Sequence, residues 1–137
     1  MGGLKERPDP VDWSETRKFL SGALSEAAIH SAPEMPSTQT AAKDAARSGE
    51  PGWSVYVTDF QSAGRGRRDR GWQSIPGKDL TFSVILRPEM EAQYAQLLGL
   101  AASLAVARTI RKSLRGMEDG VSIKWPNDVL IRGRKVC

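Results

Sequence analysis

The chain has 137 residues, room for one domain or part of one, since domains usually run about 100–200 residues. Hydrophobic residues make up 39%, with 13 glycines besides, and 20 basic against 16 acidic residues leave a formal charge of +4; an apolar share near the roughly 45–50% of globular domains excludes wholesale disorder. The longest apolar run, Leu97 to Ala107, is broken by Ser103 and closed by Arg108, well short of the roughly 18 residues of a membrane span, so a cytoplasmic protein with no membrane partner is expected.

Residues 1–11 mix Gly, Pro and charge without periodicity and are expected to form a flexible lead-in; Glu6 spoils the myristoylation pattern that Gly2 would open. Asp12, with Glu15 three residues on, predicts a helix start, placing Trp13, Leu20, Leu24 and Ala27 on one apolar side until Pro33 and Pro36 break the chain. Ser37 or Thr38 is a good N-cap for a helix over Gln39 to Arg47, which Gly49 ends. Trp53 to Asp59 reads as a strand, Ser62 to Gly71 as a loop, and Leu80 to Leu86 as a second strand with Leu80, Phe82, Val84 and Leu86 on one face.

Gln93 to Leu114 is the strongest predicted helix. Leu97, Ala101, Leu104 and Ala105 recur at three-to-four spacing, Arg111, Lys112 and Arg115 suit its C-terminal end, and Gly116 stops it. Val121, Ile123 and Trp125 define one face of a third strand, with Lys124 on the other. Pro126 interrupts, Val129 to Ile131 resumes as a fourth, and Arg132-Gly133-Arg134 turns the chain back into Lys135-Val136-Cys137. Ending inside a returning strand, the chain is expected to be truncated. The irregular order of strands and helices predicts an α+β (mixed α/β) fold with a largely antiparallel or mixed sheet flanked by helices.

One cysteine and one histidine exclude an internal disulfide and any zinc-ligand spacing. His30 lies among Ser, Ala and Pro without a triad partner motif and reads as a surface or capping histidine. Three groups carry the chemistry. Gly64-Arg65-Gly66-Arg67-Arg68-Asp69-Arg70-Gly71-Trp72 combines amides that an anion can approach, forked guanidinium donors and a flat indole; a solvated basic loop is the competing reading. Lys124-Trp125-Pro126-Asn127-Asp128 would set a cation near a carboxylate-and-amide pair suited to Mg²⁺, although a strand lysine is usually just exposed. Ser37-Thr38-Gln39-Thr40 reads alone as ordinary capping, and Gln61 alone as a polar strand end.

Taken in order, Ser37-Thr38, then Asp59-Phe60-Gln61 with the arginine-rich loop, then Trp72-Gln73-Ser74 with Pro76-Gly77, then Lys124 to Asp128 resemble a biotin protein ligase from about Ser37 to Cys137. The resemblance implies a partial biotin/lipoate ligase-like catalytic domain over 12–137, lacking the rest of that domain and the C-terminal small barrel, with no DNA-binding domain. It implies that biotin and Mg-ATP form biotinyl-5′-AMP, whose biotin passes to a lysine of a biotin carboxyl carrier domain in a biotin-dependent carboxylase. Ser37, Thr38, Gln61, Gly64 and Arg65 would then bind the ureido ring and Trp72 the body of biotin. Arg65, Arg67, Arg68 and Arg70 would order over the nucleotide phosphates, with Arg65, Arg67 and Lys124 catalytic. Lys124 would hold the carboxylate and phosphate oxygens, Asn127 would stand near the phosphates, and Asn127 and Asp128 near Mg²⁺.

Two residues depart from the family pattern: Asp69 stands where Gly is usual, adding an anion inside the basic loop, and Asp59 where Glu is commoner. A truncated, inactive biotin- or acceptor-binding fragment is the second reading, and a nucleic-acid-binding module built on the basic loop the third. Exposed strand edges in a partial fold would favour self-association into a homodimer.

Overall fold

A computed structural model describes residues 12–66, 71–114 and 120–137; the expected lead-in over 1–11 lies outside them. The chain forms two compact units, one ending at Arg87 and the other beginning at Pro88. Together they show the mixed α/β architecture expected, with one mixed and one antiparallel three-stranded sheet.

In the first unit the helix expected from Asp12 is replaced by two 3₁₀ stretches, Trp13–Phe19 and Gly22–Leu24. Gly22 takes a φ of 61°, a left-handed conformation that cannot continue a right-handed helix. Next comes a strand the sequence does not announce, β1 (Ile29–Met35). It pairs parallel with β2 (Val55–Gln61), from Ile29 opposite Val55 to Met35 opposite Gln61, with Pro33 left out of the register. Among the described residues β1 is an edge strand, paired with β2 alone, and on its open side a missing N–H costs no ladder bond, so Pro33 is tolerated. On the other side of β2 runs β3 (Thr81–Val84), antiparallel.

Between β1 and β2 lies α1 (Thr38–Arg47), which packs on β2 and β3. Its buried residues are the small Thr38 and Ala42, while the long Gln39, Lys43 and Arg47 lie elsewhere on the helix. The fully buried Thr58 ties the central strand to its neighbour by donating its hydroxyl to the Ala32 carbonyl at 2.8 Å. The expected alternation along β3 holds, but its apolar face looks outward: Phe82 is 47% exposed, and Leu80 and Leu86 are exposed too. Ser83 and the buried Ile85 occupy the inner face, because that side of β3 meets α1.

The C-terminal end of α1 is held by Arg87. Its guanidinium donates from Nη2 to the carbonyls of Ala46 and Glu50, each at 2.8 Å, and from Nε to Glu50 at 3.1 Å, placing a cation where the helix leaves carbonyls unpaired. Replacing Arg87 with Met is expected to lower stability by about 1 kcal/mol, the usual worth of such a contact at a surface, measurable as a shifted urea midpoint at unchanged slope.

His30 behaves as the surface histidine expected. It stacks on Tyr56 with ring centroids 4.5 Å apart, and its Nε2 lies 2.8 Å from Glu50 Oε1. The hydrogen bond with His30, then one with Ser54, holds the Glu50 carboxyl below its ordinary value of 4.5. A lowered carboxylate adds stability that is complete above the unfolded value and fades as pH falls through the folded one. Glu50→Gln should therefore be less stable than the parent at pH 7, and the gap should narrow as the pH falls below 4.5 and through the lowered folded value, as denaturant titrations across that range would read.

The second unit contains α2 (Gln96–Ser113), preceded by a 3₁₀ turn over Ala92–Tyr94, and a meander of β4 (Val121–Lys124), β5 (Asp128–Ile131) and β6 (Arg134–Lys135), antiparallel throughout. Its core is Ala107, Val121 and Val129, with Val106, Ile110, Leu114, Ile123 and Ile131 packed around them. The apolar series expected to mark the buried side of α2 is exposed instead, at Leu97, Ala101, Leu104 and Ala105. Apolar residues occupy more than one side of this helix, and the hairpin takes the stripe through Val106, Ala107, Ile110 and Leu114. The expected return of the chain is present. Arg132 and Gly133 take φ of 48° and 77°, the pair of positive values a two-residue hairpin loop requires, and Val136 donates its N–H to the Val129 carbonyl at 2.9 Å.

Candidate functional site

In the first unit, the start of α1 and the end of β2 bring Ser37, Thr38 and Gln61 together. Ser37 is the N-cap, its Oγ accepting from the Thr40 N–H at 3.3 Å. Thr38 donates twice to Gln61 Oε1, from its backbone N–H at 2.7 Å and from its hydroxyl at 3.1 Å. All three are buried, Thr38 at 2% and Gln61 at 8% exposure, so these bonds form in a medium that penalises an unmet polar group heavily. A backbone N–H can only donate, so the Gln61 amide must turn its oxygen to Thr38 and its Nε2 away.

That nitrogen faces Gly64. A Cβ built on Gly64 would lie 2.8 Å from Gln61 Nε2 and 2.7 Å from the Trp72 carbonyl, so any larger residue forces one of them to shift. The Trp72 N–H donates to the Gly64 carbonyl at 2.9 Å, and Arg65 pairs with Gly71 in an isolated antiparallel bridge. The arginine-rich loop is thereby closed at its neck, with Trp72 held beside Gln61 and 40% exposed. Arg65 is exposed at this neck; Arg67, Arg68, Asp69 and Arg70 lie outside the described residues.

A bare helix start attracts anions through its unpaired amides. Here the Thr38 amide is engaged by Gln61 and the Thr40 amide by Ser37. This end of α1 therefore suits a neutral polar group better than a phosphate. Ser83, which sequence reasoning misses, joins the group: its Oγ lies 2.9 Å from Thr38 Oγ1. No sequence signal marks it, because a serine alternating with the apolar series reads as solvent-facing until α1 is seen to cover that side of β3.

In the second unit, the β4–β5 hairpin carries Lys124, Asn127 and Asp128. Lys124 and Asp128 are register partners, the Trp125–Pro126 bond between them is cis, and Trp125 stands 77% exposed. Lys135, also missed, donates from Nζ to Asp128 Oδ1 at 2.8 Å. The turn at Arg132-Gly133 is the signal that could have found it, because folding the chain back there sets Lys135 alongside β5. One carboxylate thus stands between two lysines, one across the strand pair and one in direct contact. Among the described residues, no three His, Cys, Asp or Glu side chains converge as a metal site.

Comparison with known proteins gives a consistent result. The model of the Biotin/lipoate A/B protein ligase family matches residues 31–137. The chain is 36% identical over 132 residues to the bifunctional ligase/repressor BirA of Bacillus subtilis, covering 96% of this chain and 40% of the relative, and 32% identical over 131 residues to BirA of Escherichia coli, covering 95% and 39%. It spans about two fifths of the length of these relatives. Among solved structures, the biotin protein ligase of Aquifex aeolicus in complex with biotin and ATP superposes with a TM-score of 0.65 at 32% identity, over 80% of this chain and 44% of that one. The Leishmania major biotin protein ligase in complex with biotin gives 0.65 at 26% identity, over 79% and 48%.

Proposed function

Since the chain belongs to the Biotin/lipoate A/B protein ligase family, we propose that it carries biotin-activating residues of a biotin protein ligase. The biotin carboxylate attacks the α-phosphorus of ATP, forming biotinyl-5′-AMP and releasing pyrophosphate. A lysine amine of a biotin carboxyl carrier domain then attacks the acyl carbon, forming the amide and releasing AMP. The acceptor belongs to a biotin-dependent carboxylase, and the reaction is cytoplasmic.

The observation that carries this reading is the buried Thr38–Gln61 pair beside Gly64 and Trp72. Fixed polar groups on one side of Gly64 and the backbone of a partly exposed tryptophan on the other suit a ligand with a urea ring and an apolar body. A lipoyl or octanoyl chain offers these groups no hydrogen bond, and a site built to bond a polar ligand rejects one that leaves its groups unmet. Ser37, Thr38 and Gln61 hold the ureido ring with Gly64 and Arg65, and Trp72 packs on the ring body.

Bringing a carboxylate to a phosphate forces two anions together, and fixed cations remove that penalty and steady the charge on phosphorus. The resemblance assigns Lys124 to the carboxylate and phosphate oxygens and Arg65, Arg67, Arg68 and Arg70 to the nucleotide phosphates, and Lys135 adds a further cation to the hairpin beside Asp128. Mg²⁺ enters as part of the nucleotide substrate. Asn127 and Asp128 offer it one amide and one carboxylate, too few to hold the ion without phosphate oxygens.

The test is biotin-dependent exchange between ATP and labelled pyrophosphate, with lipoate and octanoate as controls. Exchange with biotin alone is the expected result. A folded chain without exchange would instead be an inactive fragment that binds biotin or the acceptor, and exchange with octanoate would assign a different acid.

A further inference from the structure

We propose that Ser83 is a positioning residue that sets the preference of this site for biotin over unbranched acids, an inference that rests on the biotin reading above. Thr38 has one hydroxyl proton, and its bond to Gln61 Oε1 at 3.1 Å uses it, because that oxygen can only accept. The contact at 2.9 Å between Ser83 and Thr38 must then run the other way, Ser83 donating and Thr38 accepting. The proton order from β3 through α1 to β2 is therefore fixed: Ser83 to Thr38, and Thr38 to Gln61.

The consequence falls on the Gln61 amide. Its oxygen is held by two donors from Thr38, and its Nε2 is turned to the Gly64 side. Without Ser83, the Thr38 hydroxyl can rotate and offer its proton elsewhere, leaving Gln61 one donor fewer. A ligand whose ring hydrogen-bonds to these side chains feels the change. A plain fatty acid does not, since it makes no such bond.

The experiment compares Ser83→Ala and Ser83→Thr with the parent chain, by calorimetric binding of biotin and octanoate and by pyrophosphate exchange. Ser83→Ala is expected to weaken biotin binding and raise its KM about fivefold, the order expected for one net hydrogen bond, leaving the KM for ATP and the affinity for octanoate within about twofold. Ser83→Thr, which keeps the hydroxyl on a strand that favours β-branched residues, should restore the parent values. Equal weakening of biotin, octanoate and ATP would overturn the proposal in favour of a merely structural serine, as would an unchanged biotin KM. A parent chain that binds no biotin would sink the biotin reading itself; a parent that binds it with Ser83→Ala unaltered would remove only Ser83.

Discussion

Replacing Lys124 or Lys135 with Ala is expected to slow biotin-dependent pyrophosphate exchange by about 10²–10³, the usual cost of removing one preorganised donor from a developing charge. The two should not be equivalent in origin. Asp128 has Oδ1 on Lys135 at 2.8 Å and faces Lys124 across the strand pair. Removing Lys135 leaves that carboxylate with Lys124 as its neighbouring cation, so one substitution weakens both. With Mg-ATP saturating, so that loss of the carboxylate from the ion is not what is read, Asp128→Asn added to Lys135→Ala should therefore recover part of the loss, whereas added to Lys124→Ala it should recover none. Single-turnover adenylate formation across this double-mutant cycle reads the difference; additive effects in both pairs would show that Lys135 acts independently of the hairpin carboxylate.

The second large effect belongs to Gly64. Alanine there must push a Cβ to within 2.7 Å of the Trp72 carbonyl and 2.8 Å of Gln61 Nε2. Both neighbours are restrained, the carbonyl by the closed loop neck and the amide by its two bonds to Thr38. Overpacking of this kind costs about 1–3 kcal/mol, here taken from ligand geometry as well as stability. The expectation is a biotin KM raised by about 10–100-fold with a smaller effect on ATP, measured by exchange at varied biotin. An unchanged biotin KM would mean that the neck can open without disturbing Gln61.

Local signals were the legible part. Ser37 as a cap, Gly49 as a stop and Arg132-Gly133 as a turn each act within a few residues, and each stands where the sequence placed it. Strand β1 was hidden because Pro33 argues against a strand, and only the one-sided pairing with β2 makes it acceptable. The buried side of α2 was misread because Leu97 and Leu104 are as apolar as Val106 and Ile110, and the partner hairpin decides between them. Among the site residues, Ser37, Thr38, Gln61, Gly64 and Trp72 assemble as a group in the first unit. Ser83 and Lys135 escaped because a serine or lysine on a strand looks solvent-facing until the neighbouring element is known.

The different pairing styles of the two units have a kinetic consequence. In the second unit, β5 and β6 meet through the two-residue turn at Arg132-Gly133, and such hairpins close in about 1–10 μs. In the first, Ile29 finds Val55 only after the whole of α1 has been laid between them, so the parallel ladder must overcome a long loop closure before its first bond forms. During refolding, protection of amides should rise earlier between β5 and β6 than along β1, the strand that leads into Ser37 and Thr38.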